Sequence, residues 1–505
     1  MKDICLIDPF FCPLDETEEE LRMADKAFND LITAYYNSPH RRKIEIITRA
    51  YNLAKKVHKG RRRLNGELFI MHPLAVARIV ISELGLGSTS ICAALLHEVL
   101  RESDLTGSDL ERMFNPGVAR IVEGVHKISG GIFGDKASVE AENFKRLLLS
   151  MATDFRVVLV KMADRLDNMR TLDALRKEKQ NKISRETLYL YAPLAERLGL
   201  FSLKREFEDI AFSREYPDDY RFIQDKLKIS RKDVDSVTSR FMEPIITELD
   251  KAGFKYVVKS RIKSPYSIFN KMKKKNIPFE EIYDIYAVRI IFENENEEEE
   301  VDRCREIHKI IASIYPVHAD RLRDWTEHPK ATGYRALHTT VLGPDEKWVE
   351  AQIRSKKMDD IAELGYAAHW KYKAPDEKND SPALDSLMNT VKDILEHPEP
   401  DALDFLETIR LNLLASEIFV LTPADDIMRL PAGSTVLDLA FAIHSELGIH
   451  CIAGKIDHRL VPLSYNLNSG DRVEIITSKS QKPRPEWINF CRTAKARNKL
   501  RKALL

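Results

Sequence analysis

The chain is poor in the features that mark secreted, membrane-spanning or polyanion-coating proteins. Among 505 residues it has six cysteines (Cys5, Cys12, Cys92, Cys304, Cys451 and Cys491), and no two stand as a CxxC pair. That excludes a sequence-local zinc knot or redox dithiol and points to reduced thiols rather than a disulfide frame. No apolar run is long enough to cross a bilayer. Met1–Asp8 is short and mixed, so no basic-then-apolar leader is expected, and a cytoplasmic enzyme is the default. Net charge is also missing: 79 Lys and Arg balance 79 Asp and Glu. The whole chain therefore does not attract a polyanion, and any basic site must be local. The length suits roughly three domains of about 150 residues, and an apolar content of 44% lets each bury a core.

Glycine and proline are sparse from Glu18 to Phe212, where apolar residues recur every three or four positions. Helices are expected at Pro73–Leu84, Ser90–Leu100, Val118–Ile128 and Phe155–Leu175. From Asp233 to Lys373 strands and helices mix. Tyr256–Lys259, Ala287–Phe292, Ala336–Leu342 and Trp348–Arg354 read as strands, and Tyr266–Lys275 and Glu298–Ile314 as helices. The acidic run Glu293–Glu300 reads as a solvated loop and helix start. Ala374–Pro400, rich in Pro, Asp, Asn and Ser, reads as a linker. Glu417–Ser478 alternates short strands around one amphipathic helix, Thr435–Leu447, as in a small β-grasp module. Gln481–Leu505 turns basic and helical.

Strand side chains alternate faces, so Glu350, Gln352 and Arg354 share one face of Trp348–Arg354, and Val349, Ala351 and Ile353 the other. Asp284, ahead of the strand Ala287–Phe292, is a candidate second carboxylate. Two carboxylates together with nucleotide phosphates make a typical magnesium site. Arg261, Lys263, Lys271, Arg289, Arg321, Arg323 and Lys330 supply local positive charge, while Lys273–Lys275 cannot all face one site from a helix and are expected to be exposed. Tyr334 follows Gly333, whose backbone freedom lets an aromatic ring offer its face to a base. A second constellation is His72, His97, Glu98 and Asp164, with His97 and Glu98 expected on one helix. Asp164, Asn168 and Thr171 share a helical stripe beside the apolar stripe Leu159, Ala163, Leu166 and Met169.

The strings SRIKSPYSIFNKM, YDIYAVRI, HPKATGYRALHTTV, VEAQIRS and AELGYAAHWKYK resemble the synthetase domain of long RelA/SpoT-type alarmone enzymes. KMADRLDNMRTL and ISRETLYLYAPLAERLGL resemble their hydrolase domain, and LPAGSTVLDLAFAIHSELG and NSGDRVEIITS their TGS domain. The resemblance implies a multidomain α and α+β protein. Its parts are an all-α HD-type domain over 1–212, a mixed α/β nucleotidyltransferase-like synthetase domain over 213–375, a linker over 376–415, a small β-grasp TGS domain over 416–479, and the start of a helical region over 480–505.

It also implies a reaction, transfer of the β,γ-pyrophosphate of ATP to the ribose 3′-hydroxyl of GDP or GTP. Asp284 and Glu350 take the magnesium-binding positions, with Glu350 also placed to help deprotonate the 3′-hydroxyl. Arg261 and Arg289 match arginines that sandwich adenine, and Tyr334 a tyrosine that stacks on guanine. Ser267, Lys271, Arg323, Lys330 and His338 fall at or near phosphate-contacting positions. Arg323, in RLRD, stands where a lysine is usual in the basic variant of that motif.

In the hydrolase domain the resemblance implies a manganese-activated water attacking the alarmone's 3′-pyrophosphate. His72, His97, Glu98 and Asp164 take the ligand positions, and Arg63, Glu102, Asn168 and Thr171 belong to the pocket. Here the sequence departs from the pattern. Glu98 replaces aspartate, Arg101 replaces the first acid of an HDxxED motif, Leu64 follows Arg63 where lysine is usual, and Asp167 replaces a common histidine. The expectation is a synthetase with an impaired hydrolase. The alternatives are a bifunctional enzyme, and a ribosome- and tRNA-binding regulator whose catalysis is incidental. The TGS resemblance implies contact with the ribosome and uncharged tRNA; the tRNA-contacting histidine falls at Ile449 or His450, and His444 is a further candidate.

Overall fold

The computed structural model describes residues 16–38, 43–129, 146–151, 153–282, 285–294, 296–327, 329, 334–346, 348–365, 388, 391, 417–423, 427–456 and 459–504. The chain divides into two compact units, Met1–His126 with Leu159–Asn379, and Lys127–Val158 with Asp380–Leu505.

In the first unit, a capping box between Thr17 and Glu20 starts the helix Glu18–Tyr36. Ser88–Leu96 is apolar on nearly every side, and Ser90 through Leu96 are all buried. A helix of that kind must be surrounded. Ile44–Val57 and Met71–Ser82 pack against it. The expected single helix Ser90–Leu100 is in fact broken. His97 ends Ser88–Leu96, and Glu98 precedes a separate short helix, Val99–Glu102. Neither proline nor glycine marks the break, so periodicity alone runs straight through it. Phe155–Arg170 carries the four apolar residues of the expected stripe, each at most 1% exposed. Lys177–Glu186 runs through a π turn at Thr187–Tyr191 into Ala192–Arg197. Gly199, at φ +72°, turns the chain into Phe201–Glu215.

The same unit holds a five-stranded sheet of β1 (Tyr256–Ile262), β2 (Tyr286–Phe292), β3 (Arg323–Asp324), β4 (Leu337–Leu342) and β5 (Trp348–Ser355) in the order β1-β2-β5-β4-β3. Only β2 and β5 run parallel; the other neighbours are antiparallel. One face is the core, with Val288, Ile290, Val341, Val349, Ala351 and Ile353 against Phe241 and Ile245 of Pro217–Lys251 and Cys304 and Ile307 of Glu300–Ile314. Glu300, read from sequence as solvated, is 2% exposed and accepts from Arg335 Nη1 at 3.0 Å. A carboxylate within reach of a guanidinium can be buried where an isolated one cannot.

In the second unit β6 (Glu417–Leu421) pairs β7 (Ile427–Pro431), and a three-stranded sheet runs β10-β8-β9, with β8 Cys451–Ile456, β9 Arg459–Val461 and β10 Val473–Thr477. The expected helix Thr435–Leu447 also breaks. Thr435 is the N-cap of Val436–Ile443, and His444 lies between it and Ser445–Ile449 with extended backbone. Trp487, Cys491, Ala496 and Leu500 pack into the same core as Val436 and Phe441, so the basic tail is part of this fold. The Asp438 carboxylate joins them. It accepts from the amides of Thr435, Arg492 and Thr493 and from two threonine hydroxyls. The segment read as a linker lies outside the described residues, apart from Met388 and Val391.

Candidate functional site

The pairing register places one polar face on the five-stranded sheet. Lys259 lies opposite Arg289, Arg289 opposite Gln352, Gln352 opposite His338, and His338 opposite Arg323. Directly paired residues share a face, and positions two apart along a strand share it too. Arg261, Glu350 and Arg354 therefore join the same face, as alternation along β5 predicts.

Glu350 sits in a closed loop of contacts. Arg354 Nη2 donates to Gln352 Oε1 at 2.8 Å, and Gln352 Nε2 donates to Glu350 Oε1 at 2.7 Å. The same oxygen is 3.2 Å from His338 Nδ1, and His338 Nε2 is 2.7 Å from the Tyr334 hydroxyl. The Arg354 guanidinium closes the circuit 5.5 Å from the centre of the Tyr334 ring. If His338 Nδ1–H donates to Glu350, Nε2 is left to accept the phenolic proton. Burial raises the Tyr334 phenol above its ordinary value, which keeps that proton in place. Trp325 packs edge-on to both Tyr334 and His338.

The cations of this face are crowded. Asp359, 2% exposed, serves three of them: Lys259 at 3.3 Å, Arg289 at 3.1 Å and Arg354 at 3.5 Å. Arg289 also reaches Glu363 at 2.7 Å. Burial, then the charges of Arg205 and Arg289, push Arg261 below the usual arginine range. Arginines held this close and dry favour a multivalent anion. Ser267 and Lys271 lie on the helix Pro265–Lys275, whose N-cap Ser264 accepts from the Ser267 amide. Lys273–Lys275 are exposed, as expected. Arg323 is exposed at the sheet edge. Asp284, Lys330 and Gly333 lie outside the described residues. Asp359 and Trp325 are the contributors that the sequence reading does not single out; alternation alone places Arg354 on this face. Asp359 is separated from Arg289 by seventy positions, and only its burial beside three cations reveals it.

The second cluster is tighter. His72, His97 and Asp164 bring one ligand atom each within 4.8 Å of one another, all buried. His72 Nε2 is 3.3 Å from Asp164 Oδ1, and His97 Nε2 is 3.9 Å from the same oxygen. Each imidazole is fixed through its other nitrogen, His72 Nδ1 by Asp167 Oδ2 at 2.6 Å and His97 Nδ1 by the Ala94 carbonyl at 2.7 Å. His97 Nε2 is buried with no hydrogen-bond partner. Two imidazoles aimed at one carboxylate oxygen, each anchored from behind, fit a divalent metal ion. Burial alone would lower the His72 pKa; hydrogen bonds to Asp164 and Asp167 outweigh it and raise it to about 9. Burial of Asp164 is likewise outweighed, by Lys161 at 2.6 Å and His72, and its carboxyl lies well below the ordinary range.

Glu98 is not among the three clustered groups. Its carboxylate is 3.7 Å from Arg101, and Glu102 is paired with Arg61. Glu98 thus stands between Arg101 and the cluster, its other oxygen 3.9 Å from His97 Nε2, while Glu102 faces Arg61. Arg63 donates to Asp167, Asn168 and Thr171 at 2.8, 3.3 and 2.9 Å. A cavity of about 400 Å³ opens here, with Lys161, Arg165 and Lys179 also on its wall. In the second unit, His444 Nδ1 accepts from the Glu446 amide, and His450 lies between the Gln481 carbonyl and Glu446.

Comparison with known proteins gives the family. Residues 50–201 match a model of HD domains, residues 260–377 a region found in RelA/SpoT proteins, and residues 418–477 the TGS domain. A guanosine-3′,5′-bis(diphosphate) 3′-pyrophosphohydrolase of Vibrio cholerae is 38% identical over 95% of this chain and 67% of its own. The chain belongs to the long RelA/SpoT family. A bifunctional (p)ppGpp synthase/hydrolase SpoT of Escherichia coli K12 is 38% identical, with the same coverage of 95% and 67%. A GTP pyrophosphokinase of Myxococcus xanthus is 39% identical over 93% of this chain and 61% of its own. The chain spans about two thirds of the length of these curated relatives. RelA/SpoT relatives carry names of both opposed activities, so membership makes this chain an enzyme of that class without fixing the mix. Among the described residues no helix is long and apolar enough to cross a membrane.

Proposed function

We propose that the chain is a GTP pyrophosphokinase that transfers pyrophosphate from ATP to the 3′-hydroxyl of GDP or GTP, making (p)ppGpp in the stringent response. The observation that carries this is the Glu350 loop on a sheet face crowded with arginines. The loop aims a carboxylate without leaving its position to solvent. The arginines meet the charge of a triphosphate. Phosphoryl-type transfer asks little more of a protein than alignment and charge neutralisation. Glu350, with Asp284 as the second carboxylate, would hold magnesium, which when bound neutralises the phosphate oxygens. Glu350 would take the 3′-hydroxyl proton. Tyr334 would stack on guanine, Arg261 and Arg289 on adenine, and Ser267, Lys271, Arg323, Lys330 and His338 would meet phosphates.

The domain limits at 212, 375, 415 and 479 belong to the same reading, as do the cytoplasm and contact of the TGS domain with ribosome and uncharged tRNA. The HD domain is read as metal-binding but weak in hydrolysis, because Glu98 and Glu102 are engaged by Arg101 and Arg61. The second reading, a bifunctional enzyme, draws on the intact His72, His97 and Asp164 cluster.

Two incubations test both. In one the purified chain receives ATP, GDP and magnesium, and in the other alarmone and manganese, with nucleotides resolved by chromatography. Synthesis in the first with little release in the second is expected. No synthesis, with or without ribosomes, discards the first reading; rapid pyrophosphate release promotes the bifunctional one.

A further inference from the structure

The helix Phe201–Glu215 belongs to neither the HD-matched nor the RelA/SpoT-matched segment, apart from its first residue. Three of its residues, at four-residue spacing and therefore on one stripe, meet the polar face of the sheet and its flanking helix. The Phe201 ring stands edge-on to Tyr334 at 6.2 Å between centres. Arg205 Nη2 is 3.7 Å from Glu363 Oε2, while the other oxygen of that carboxylate is held by Arg289. Asp209 Oδ1 accepts from the Tyr266 amide at 3.0 Å, at the start of the helix that bears Ser267 and Lys271.

Two glycines fix the seating of this stripe. Gly199 and Gly365 have φ of +72° and +53°, and their backbones lie against each other. A Cβ on Gly199 would sit 2.7 Å from Gly365 Cα, and one on Gly365 would collide with the Leu198 carbonyl. Such an approach is open only to glycine. It sets the end of Lys356–Leu364, which carries Glu363, beside the start of Phe201–Glu215.

We infer that Phe201–Glu215 forms a wall of the nucleotide site, and that Arg205 is a positioning residue for the ATP subsite, acting through the Glu363 carboxylate it shares with Arg289. Phe201 does the corresponding work on the guanosine side by limiting where Tyr334 can turn. The inference rests on the synthetase reading. The charge of Arg205 is also felt at Arg261, as one of the groups that lower its pKa. The subsite is thus completed from outside the segment that carries the synthetase motifs. Without the Arg205 guanidinium the Glu363 carboxylate is no longer pinned from behind, so Arg289 loses the fixed partner that orients it towards the purine.

The test is steady-state kinetics of the full chain with ATP and GDP, paired with calorimetric titration of ATP alone. Arg205→Ala is expected to raise KM for ATP about tenfold, with kcat within about threefold and KM for GDP unchanged, a split that marks lost binding rather than lost chemistry. Arg205→Lys should recover part of the loss, Glu363→Gln should copy it, and Phe201→Ala should raise KM for GDP instead. Lys204→Ala, whose partners are Glu196 and Glu208, should change none of these. An Arg205→Ala enzyme with the wild-type KM for ATP overturns the inference, as does an equal rise in both KM values with falling kcat. Should Arg205→Ala fail to fold, Arg205→Lys and Glu363→Gln decide. If the wild-type chain binds ATP but makes no alarmone, the synthetase reading falls, and the ATP affinities of the variants still judge the wall. If it does neither, both fall.

Discussion

Replacing Glu350 by glutamine separates chemistry from folding more cleanly than any other change at this site. The substitution keeps shape and one carbonyl oxygen, and removes a negative charge. In the structure the Glu350 carboxylate accepts from Gln352 and faces His338 Nδ1, and its side chain is 23% exposed. A glutamine oxygen can still accept from Gln352, so the cost to folding is the charge-assisted part of these contacts, roughly 1–2 kcal/mol. For a domain of this size that lowers the melting temperature by a few degrees, at about 2–4 °C per kcal/mol. The cost to synthesis is of another order. A glutamine neither binds a hard cation well nor takes a proton from a sugar hydroxyl. Removal of a general base alone costs about 10²–10⁴ in rate, or roughly 3–5.5 kcal/mol in the barrier. Far-UV circular dichroism with temperature and chromatographic alarmone synthesis would be run on one preparation. The expected pair is a melting curve within a few degrees of wild type and synthesis at least a hundredfold slower. Synthesis within tenfold of wild type would refute the role given to Glu350. A variant that loses activity only because it no longer melts cooperatively would refute the claim that the loop tolerates loss of its charge.

The metal cluster gives a second test. Asp167→Ala removes the partner of His72 Nδ1, and manganese affinity of the nucleotide-free chain, read by titration, should fall about 10–100-fold; unchanged affinity would show that His72 needs no such anchor. In the second unit, Asp438→Ala strands three backbone amides and should destabilise that fold by about 3–5 kcal/mol, seen as a lowered transition for residues 417–504 in hydrogen exchange. Wild-type protection there would mean that solvent replaces the carboxylate at little cost. Burial, only partly offset by Lys204, raises the Glu208 carboxyl to about 7 from an ordinary 4.5. Between those values the folded state holds the extra proton, so this group's contribution to stability declines as pH rises through 7. Glu208→Gln should therefore gain about 1–3 kcal/mol above pH 7 and almost nothing below 4.5, in denaturant titrations at the two pH values.

What the sequence made legible follows from the period of each element. A strand repeats every two residues, so the common face of Glu350, Gln352 and Arg354 could be read from seven letters, and the pairing register then carried that face to Arg289, His338 and Arg323. The helical stripe of Asp164, Asn168 and Thr171 was legible for the same reason, and all three meet in the cavity beside Arg63. Illegible were the places where tertiary contact overrides local pattern. The break at His97 has no proline or glycine to announce it, yet it is what lets His97 Nδ1 find the Ala94 carbonyl and aim Nε2 at Asp164.

Asp167 shows the same limit from the other side. Against the family pattern it reads as a defect, one more departure in a decaying site. In the structure it anchors His72 and an arginine of the pocket with a single oxygen. A motif compares letters, whereas the site depends on which atom ends up opposite which. An aspartate that replaces a histidine behind His72 can still accept its Nδ1 proton, and it adds a charge that holds Arg63. Arg101 is different in kind, because its cation stands beside Glu98 and Glu102, the acids the hydrolytic step would draw on. The departures in this domain are therefore not equivalent. On the proposed reading Glu98 and Arg101 would weaken hydrolysis, whereas Asp167 holds His72 and Arg63 in place and keeps the architecture of the cluster.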